Sequence, residues 1–124
     1  MKRLRLEFKA GVPIYEQLLY AARKAIVSGE FSTGDAFPSV RALSAELRIN
    51  PNTVHKALTA LKDAGLIETV PGIGHRVAGM PEGSAKARAA LLGPETEALV
   101  LRARELGVTR QELIASINKH WEIL

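Results

Sequence analysis

Asn52, Thr53, His55 and Lys56 fall within one short stretch and together carry hydrogen-bond donors, acceptors and a positive charge. An asparagine amide can pair with an adenine edge or a phosphate, a threonine hydroxyl can donate to a phosphate, a histidine can donate to guanine N7 or O6, and a lysine brings charge to a polyanion. This is the chemistry of recognition rather than of bond making. The catalytic alternatives are poorly supplied. His55, His75 and His120 lie far apart, and no H-x-x-x-H pair, Walker loop or nucleophile elbow is present. The chain has no cysteine, which removes thiolate metal sites, redox dithiols and cysteine nucleophiles together. Gly72-Ile73-Gly74 lacks the third glycine and the following helix of a dinucleotide site, and reads as a hairpin tip. The sequence therefore predicts no enzyme, no cofactor and no metal site.

The elements that must position these residues follow from apolar period and punctuation. Leu4, Leu6 and Phe8 alternate with charged residues, which predicts a short edge strand at 3–8. Ile14, Leu18, Ala22, Ala25 and Ile26 line one helical face after Pro13 and before Gly29, predicting a first helix over 14–28. Residues 30–37 read as a connector. Ser39 can cap a two-turn helix with Val40, Leu43 and Leu47 on one stripe. Asn50-Pro51 starts a third helix, because the asparagine accepts from an orphan amide and the proline loses only an amide that had no partner. Its buried stripe is Val54, Ala57, Leu58 and Leu61, and Gly65 closes it with a left-handed cap. Strands at 66–70 and 75–78 flank the turn at 71–74 and form a hairpin. Residues 80–84 read as a linker. Helical composition then runs to Leu106, where Gly93-Pro94 must kink or break it, and Thr109 with Glu112 forms a capping box for a last helix over 110–122.

Two helices joined by a short turn and followed by a hairpin give the winged helix-turn-helix order. The predicted fold is mainly α with a small β-hairpin wing: a winged helix-turn-helix domain over residues 1–79 and a two-helix tail over 80–124. Charge supports the division. The whole chain carries 17 Lys and Arg against 13 Asp and Glu; residues 1–79 hold eleven and seven of these, and residues 80–124 six and six. All of the basic excess lies on the first part, which favours a polyanionic partner there. The 124 residues have room for one ordinary domain and a short appendage. Met1-Lys2-Arg3-Leu4-Arg5 lacks the apolar run of a signal peptide, and no stretch is long enough to span a bilayer, so a cytoplasmic protein without a membrane partner is expected.

Four co-linear blocks carry a family resemblance: residues 13–18 (PIYEQL), 34–43 (GDAFPSVRAL), 50–58 (NPNTVHKAL), and Gly65-Leu66-Ile67 through Gly72-Ile73-Gly74. In order and spacing they resemble the GntR-type bacterial transcription regulators. The tail, with Leu106-Gly107-Val108-Thr109 and Glu112-Leu113-Ile114, is similar to the YtrA-like subfamily, in which a short helical tail dimerises the protein. A tail of this length cannot hold a large effector-binding domain.

The resemblance implies a sequence-specific regulator, a repressor more than an activator, that binds a double-stranded operator as a homodimer. It implies DNA contacts from Ser39 and Arg41 at the start of the second helix, and from Gly74 and His75 in the wing near the minor groove. Asn50, Asn52, Thr53, His55 and Lys56 complete the candidate interface; Asn50 reads mainly as a helix start, Ser39 equally as a cap, and Arg41, Arg48 and Lys56 have a solvated face as their alternative. Ile73 stands where the family often has a basic wing residue, Arg76 where an aromatic is common, and Arg48 at a turn position often held by glycine. The candidate dimer seam is Leu99, Val100, Ala103, Leu106, Leu113, Ile117 and Trp121, the alternative being packing on the first helix of the same chain. A small-molecule effector stays open, since the tail has no obvious pocket. The rival reading is a winged helix that serves only protein contacts.

Overall fold

A computed structural model describes residues 3–79 and 83–124. The chain divides into two compact units, Met1–Pro81 and Glu82–Leu124. The predicted linker at 80–84 lies outside the described residues except for Gly83 and Ser84.

The first unit comprises α1 (Ile14–Val27), β1 (Ala36–Phe37), α2 (Val40–Leu47), α3 (Pro51–Asp63), β2 (Ile67–Val70) and β3 (Gly74–Val77). The strands make one antiparallel sheet in the order β1-β3-β2, with Ile67 opposite Val77, Val70 opposite Gly74 and Phe37 opposite His75. The mainly α reading with a small β wing holds, but the third strand stands elsewhere than expected. That strand, β1, lies in the segment read as a connector. Two residues are too short to show an alternating period, and the pairing is set from outside: the Gly34 amide donates to Val77 O and the Val77 amide to Asp35 O, both at 2.8 Å.

The edge strand expected at 3–8 does not form. Leu4 is buried and Leu6 half-buried, so the alternation correctly marks which side faces inward. A strand also needs a partner for its backbone amides and carbonyls, and this segment pairs with neither outer strand of the sheet. The segment instead joins α1 through Gln17, whose Oε1 accepts from the Lys9 amide at 2.8 Å while its Nε2 donates to Lys9 O and Val12 O at 2.9 and 2.8 Å.

α3 packs against α1, α2 and β2 and forms the centre of the unit. Its stripe, Val54, Ala57, Leu58 and Leu61, meets Leu18, Ala22, Ala25 and Ile26 of α1, Leu43 of α2, and Phe31, Phe37, Ile67 and Val77. Ala22, Ala25 and Ala57 have no bulk beyond Cβ, which lets helices approach closely. The Phe31 and Phe37 rings tilt together with centroids 5.1 Å apart, a favoured aromatic geometry. At the end of α3, Gly65 takes φ 79° while its amide and that of Leu66 donate to Lys62 O and Leu61 O. This is the predicted left-handed cap, and Leu61 and Leu66 are both buried beneath it.

The second unit has α4 (Ala85–Ala90), a π-helical turn (Leu91–Glu95), α5 (Thr96–Glu105) and α6 (Arg110–Ile123). Pro94 does not break the helix. The turn around it widens, so that Thr96 bonds to Leu91 O through its amide and through its hydroxyl at 2.6 Å. A wider turn accommodates a ring that cannot donate and that would clash with the carbonyl four residues back. The capping box forms as predicted. The Glu112 amide donates to Thr109 Oγ1 at 3.1 Å and the Thr109 amide to Glu112 Oε1 at 3.0 Å. The bond from that amide, with a second from the Thr109 side chain, holds the Glu112 carboxyl below its ordinary value. Among the described residues, no helix is long and apolar enough to cross a membrane.

Candidate nucleic-acid interface

The interface is built on two helix starts. The Ser39 side chain accepts from the Ala42 amide at 3.1 Å, which fixes the start of α2 and leaves Arg41 exposed one residue into it. Asn50 Oδ1 accepts from the Asn52 amide at 2.8 Å, so α3 begins at Pro51. Both caps are structural in this chain, whatever else they touch. Asn52, His55 and Lys56 are exposed and Thr53 is half-buried, on the side of α3 opposite its core stripe.

The turn between the helices is clamped from within. Ser44 Oγ donates to Ile49 O at 2.6 Å, and the Ile49 amide returns to Ser44 O at 3.3 Å. Arg48, at φ 54° and ψ 48°, is the non-glycine residue with positive φ among the described residues. A side chain in that conformation costs about 1–2 kcal/mol, partly offset because glycine loses more freedom on folding. Arg48→Gly is therefore expected to stabilise the fold by about 0.5 kcal/mol, read as a raised midpoint in urea unfolding. A lowered midpoint would show that the Arg48 side chain contributes more than its backbone costs.

The wing root closes on the same surface. His75 lies on β3, and its Nδ1 is buried with no hydrogen-bond partner among the described residues. Burial pushes its imidazole below the ordinary value, and the nearby charges of Lys62 and then His55 push it the same way. The charges of Lys62 and His55 on α3 thus act on a side chain of β3. Sequence reasoning misses Lys62, although its seven-residue spacing from His55 on one helix places both on one face. Arg76 stands opposite Glu68 across β2–β3 and forms an ion pair with it, so its charge is engaged within the sheet. Ile73 at the wing tip is 81% exposed. Gly74 opens β3 beside it, half-buried. His120 lies in the other unit, on α6, with its Nδ1 2.8 Å from Ser116 O.

The candidate seam residues Leu99, Val100, Leu106, Ile117 and Trp121 are exposed and Leu113 is half-buried. Ala103 is already buried within the single chain.

The family model for bacterial regulatory proteins of the gntR family matches residues 14–77, from the start of α1 to the end of β3. The chain belongs to the gntR family. Its layout matches that of the short-tailed GntR regulators. It is 29% identical over 111 residues to the HTH-type transcriptional repressor YtrA of Bacillus subtilis (strain 168), covering 89% of this chain and 85% of that one. Among solved structures, a transcriptional antiterminator from Listeria monocytogenes EGD-e superposes with a TM-score of 0.80 at 27% identity, covering 95% of this chain and 89% of that one. The DNA-binding domain of AraR in complex with operator ORR3 has a TM-score of 0.52 and 26% identity over 60% of this chain and 89% of that one. The GntR winged-helix fold accounts for α1 through β3, and the chain is a transcriptional regulator of that family.

Proposed function

We propose that the protein is a repressor that binds a pseudo-palindromic operator as a homodimer in the cytoplasm. α3 enters the major groove through Asn52, Thr53, His55 and Lys56. Arg41 and Ser39 add contacts from α2, Asn50 adds one from the turn, and Gly74 and His75 bring the wing toward the minor groove. The observation that carries this reading is the exposure of Arg41, Asn52, His55 and Lys56 beside two helix starts fixed by the Ser39 and Asn50 caps. The positive charges of Arg41 and Lys56 are free to meet phosphates, and the side-chain amide of Asn52 and the imidazole of His55 offer donors beside them. Residues 1–79 form the DNA-binding part and residues 80–124 the dimerisation tail. Repression follows by analogy with the relative named a repressor.

Selecting bound fragments from random duplexes with the purified protein tests this directly. The expected product is a pseudo-palindrome with half-sites about 34 Å apart. Affinity for it is expected to fall steeply with salt, and Lys56→Gln or Arg41→Gln to flatten the slope of log affinity against log salt by about 0.9 each. Failure to enrich any duplex at low ionic strength, or binding indifferent to salt, would favour the reading of a protein-contact module.

A further inference from the structure

The block at 13–18 has structural roles at three positions, while Ile14 and Glu16 are exposed. Pro13 precedes α1, Gln17 ties down the N-terminal segment, and Leu18 is in the core. Tyr15 remains. It is half-buried at the second residue of α1, its body packed against the core cluster. The Lys56 ammonium lies over its ring, 5.0 Å from the centroid. Lys56 is exposed, and no carboxylate forms an ion pair with it among the described residues.

We propose that Tyr15 is a positioning residue for DNA binding, its ring holding the Lys56 ammonium where a phosphate will meet it. The inference rests on the DNA-binding reading above. A lysine is a point charge on a flexible four-carbon stem, and ordering that stem on binding costs affinity. A ring face within about 6 Å attracts the ammonium through its quadrupole. Unlike a carboxylate, the ring leaves the net charge intact, so nothing must be displaced when a phosphate arrives. Because Tyr15 is anchored in α1 and Lys56 projects from α3, the docking of α1 on α3 sets the position of the charge. The tyrosine supplies a location and the lysine supplies the charge.

Two measurements test this. In the free protein, ring current is expected to shift the Lys56 side-chain methylene resonances upfield. The shift persists in Tyr15→Phe and is lost in Tyr15→Leu. With a labelled mixed-sequence duplex at low ionic strength, Tyr15→Leu is expected to weaken binding about two- to fivefold without changing the salt slope, because no charge is removed. Tyr15→Phe retains wild-type affinity. In a Lys56→Gln background, Tyr15→Leu has no further effect. Tyr15→Met, which keeps bulk without an aromatic face, must match Tyr15→Leu, and circular dichroism confirms that each variant is folded. Unshifted Lys56 resonances in the wild type, or equal weakening by Tyr15→Leu with and without Lys56, overturns the proposal. A wild-type protein that shows the shifted resonances yet ignores every duplex fails at the DNA-binding reading instead, and the positioning role falls with it.

Discussion

On the proposed homodimeric reading, deleting residues 107–124 is expected to yield a monomer whose affinity for a duplex with two half-sites is about 10²- to 10⁴-fold weaker. Joining two recognition helices makes the second half-site an intramolecular event, and losing the join removes that gain without altering any single DNA contact. The tail has an apolar surface suited to such a join, since Leu106, Ile117, Trp121, Ile123 and Leu124 are exposed in the single chain. No residue beyond Val77 belongs to the core cluster of the first unit among the described residues. The truncated chain is therefore expected to keep its helical spectrum while its sedimentation coefficient falls. An unchanged sedimentation coefficient and affinity would remove the tail from the mechanism.

The second large effect is expected at Leu43→Ala. Leu43 is 0% exposed, the buried side chain of α2, where that helix packs on α3. Truncating a leucine to alanine in such a position removes transfer free energy and leaves a cavity, at a cost of about 2–5 kcal/mol. Small domains have only about 5–15 kcal/mol in total. Urea unfolding is expected to show a midpoint lowered in proportion, and DNA affinity to fall with the folded fraction. A loss well under about 1 kcal/mol would mean that neighbouring side chains fill the space.

What is legible in the sequence is local chemistry. The Asn50-Pro51 start, the Ser39 cap, the left-handed Gly65 and the Thr109–Glu112 box each depend on residues a few positions apart, and each forms as read. The misreadings involve partners distant in the chain. Leu4 and Leu6 have the period of a strand, but the segment is tied to α1 through Gln17 and not to a sheet edge. β1 exists only because Val77 and the segment before Phe37 exchange hydrogen bonds. Gly93-Pro94 announces a disturbed helix without saying how it is absorbed, since interruption and a widened turn begin from the same missing amide. At the candidate interface, the polar side of α3 follows from its helical period. The stacking of Lys56 on Tyr15, and the influence of Lys62 on His75, require the tertiary fold.

Trp121 is the sole tryptophan of the chain and is 80% exposed. An indole in water emits at long wavelength, so the tryptophan fluorescence of an isolated chain, unlike that of Tyr15 and Tyr20 on α1, does not follow melting of the winged domain. It reports on the last helix. In the proposed homodimer, shielding of that indole would move the emission to the blue as concentration rises, so a label-free optical titration reads out whether the tail self-associates.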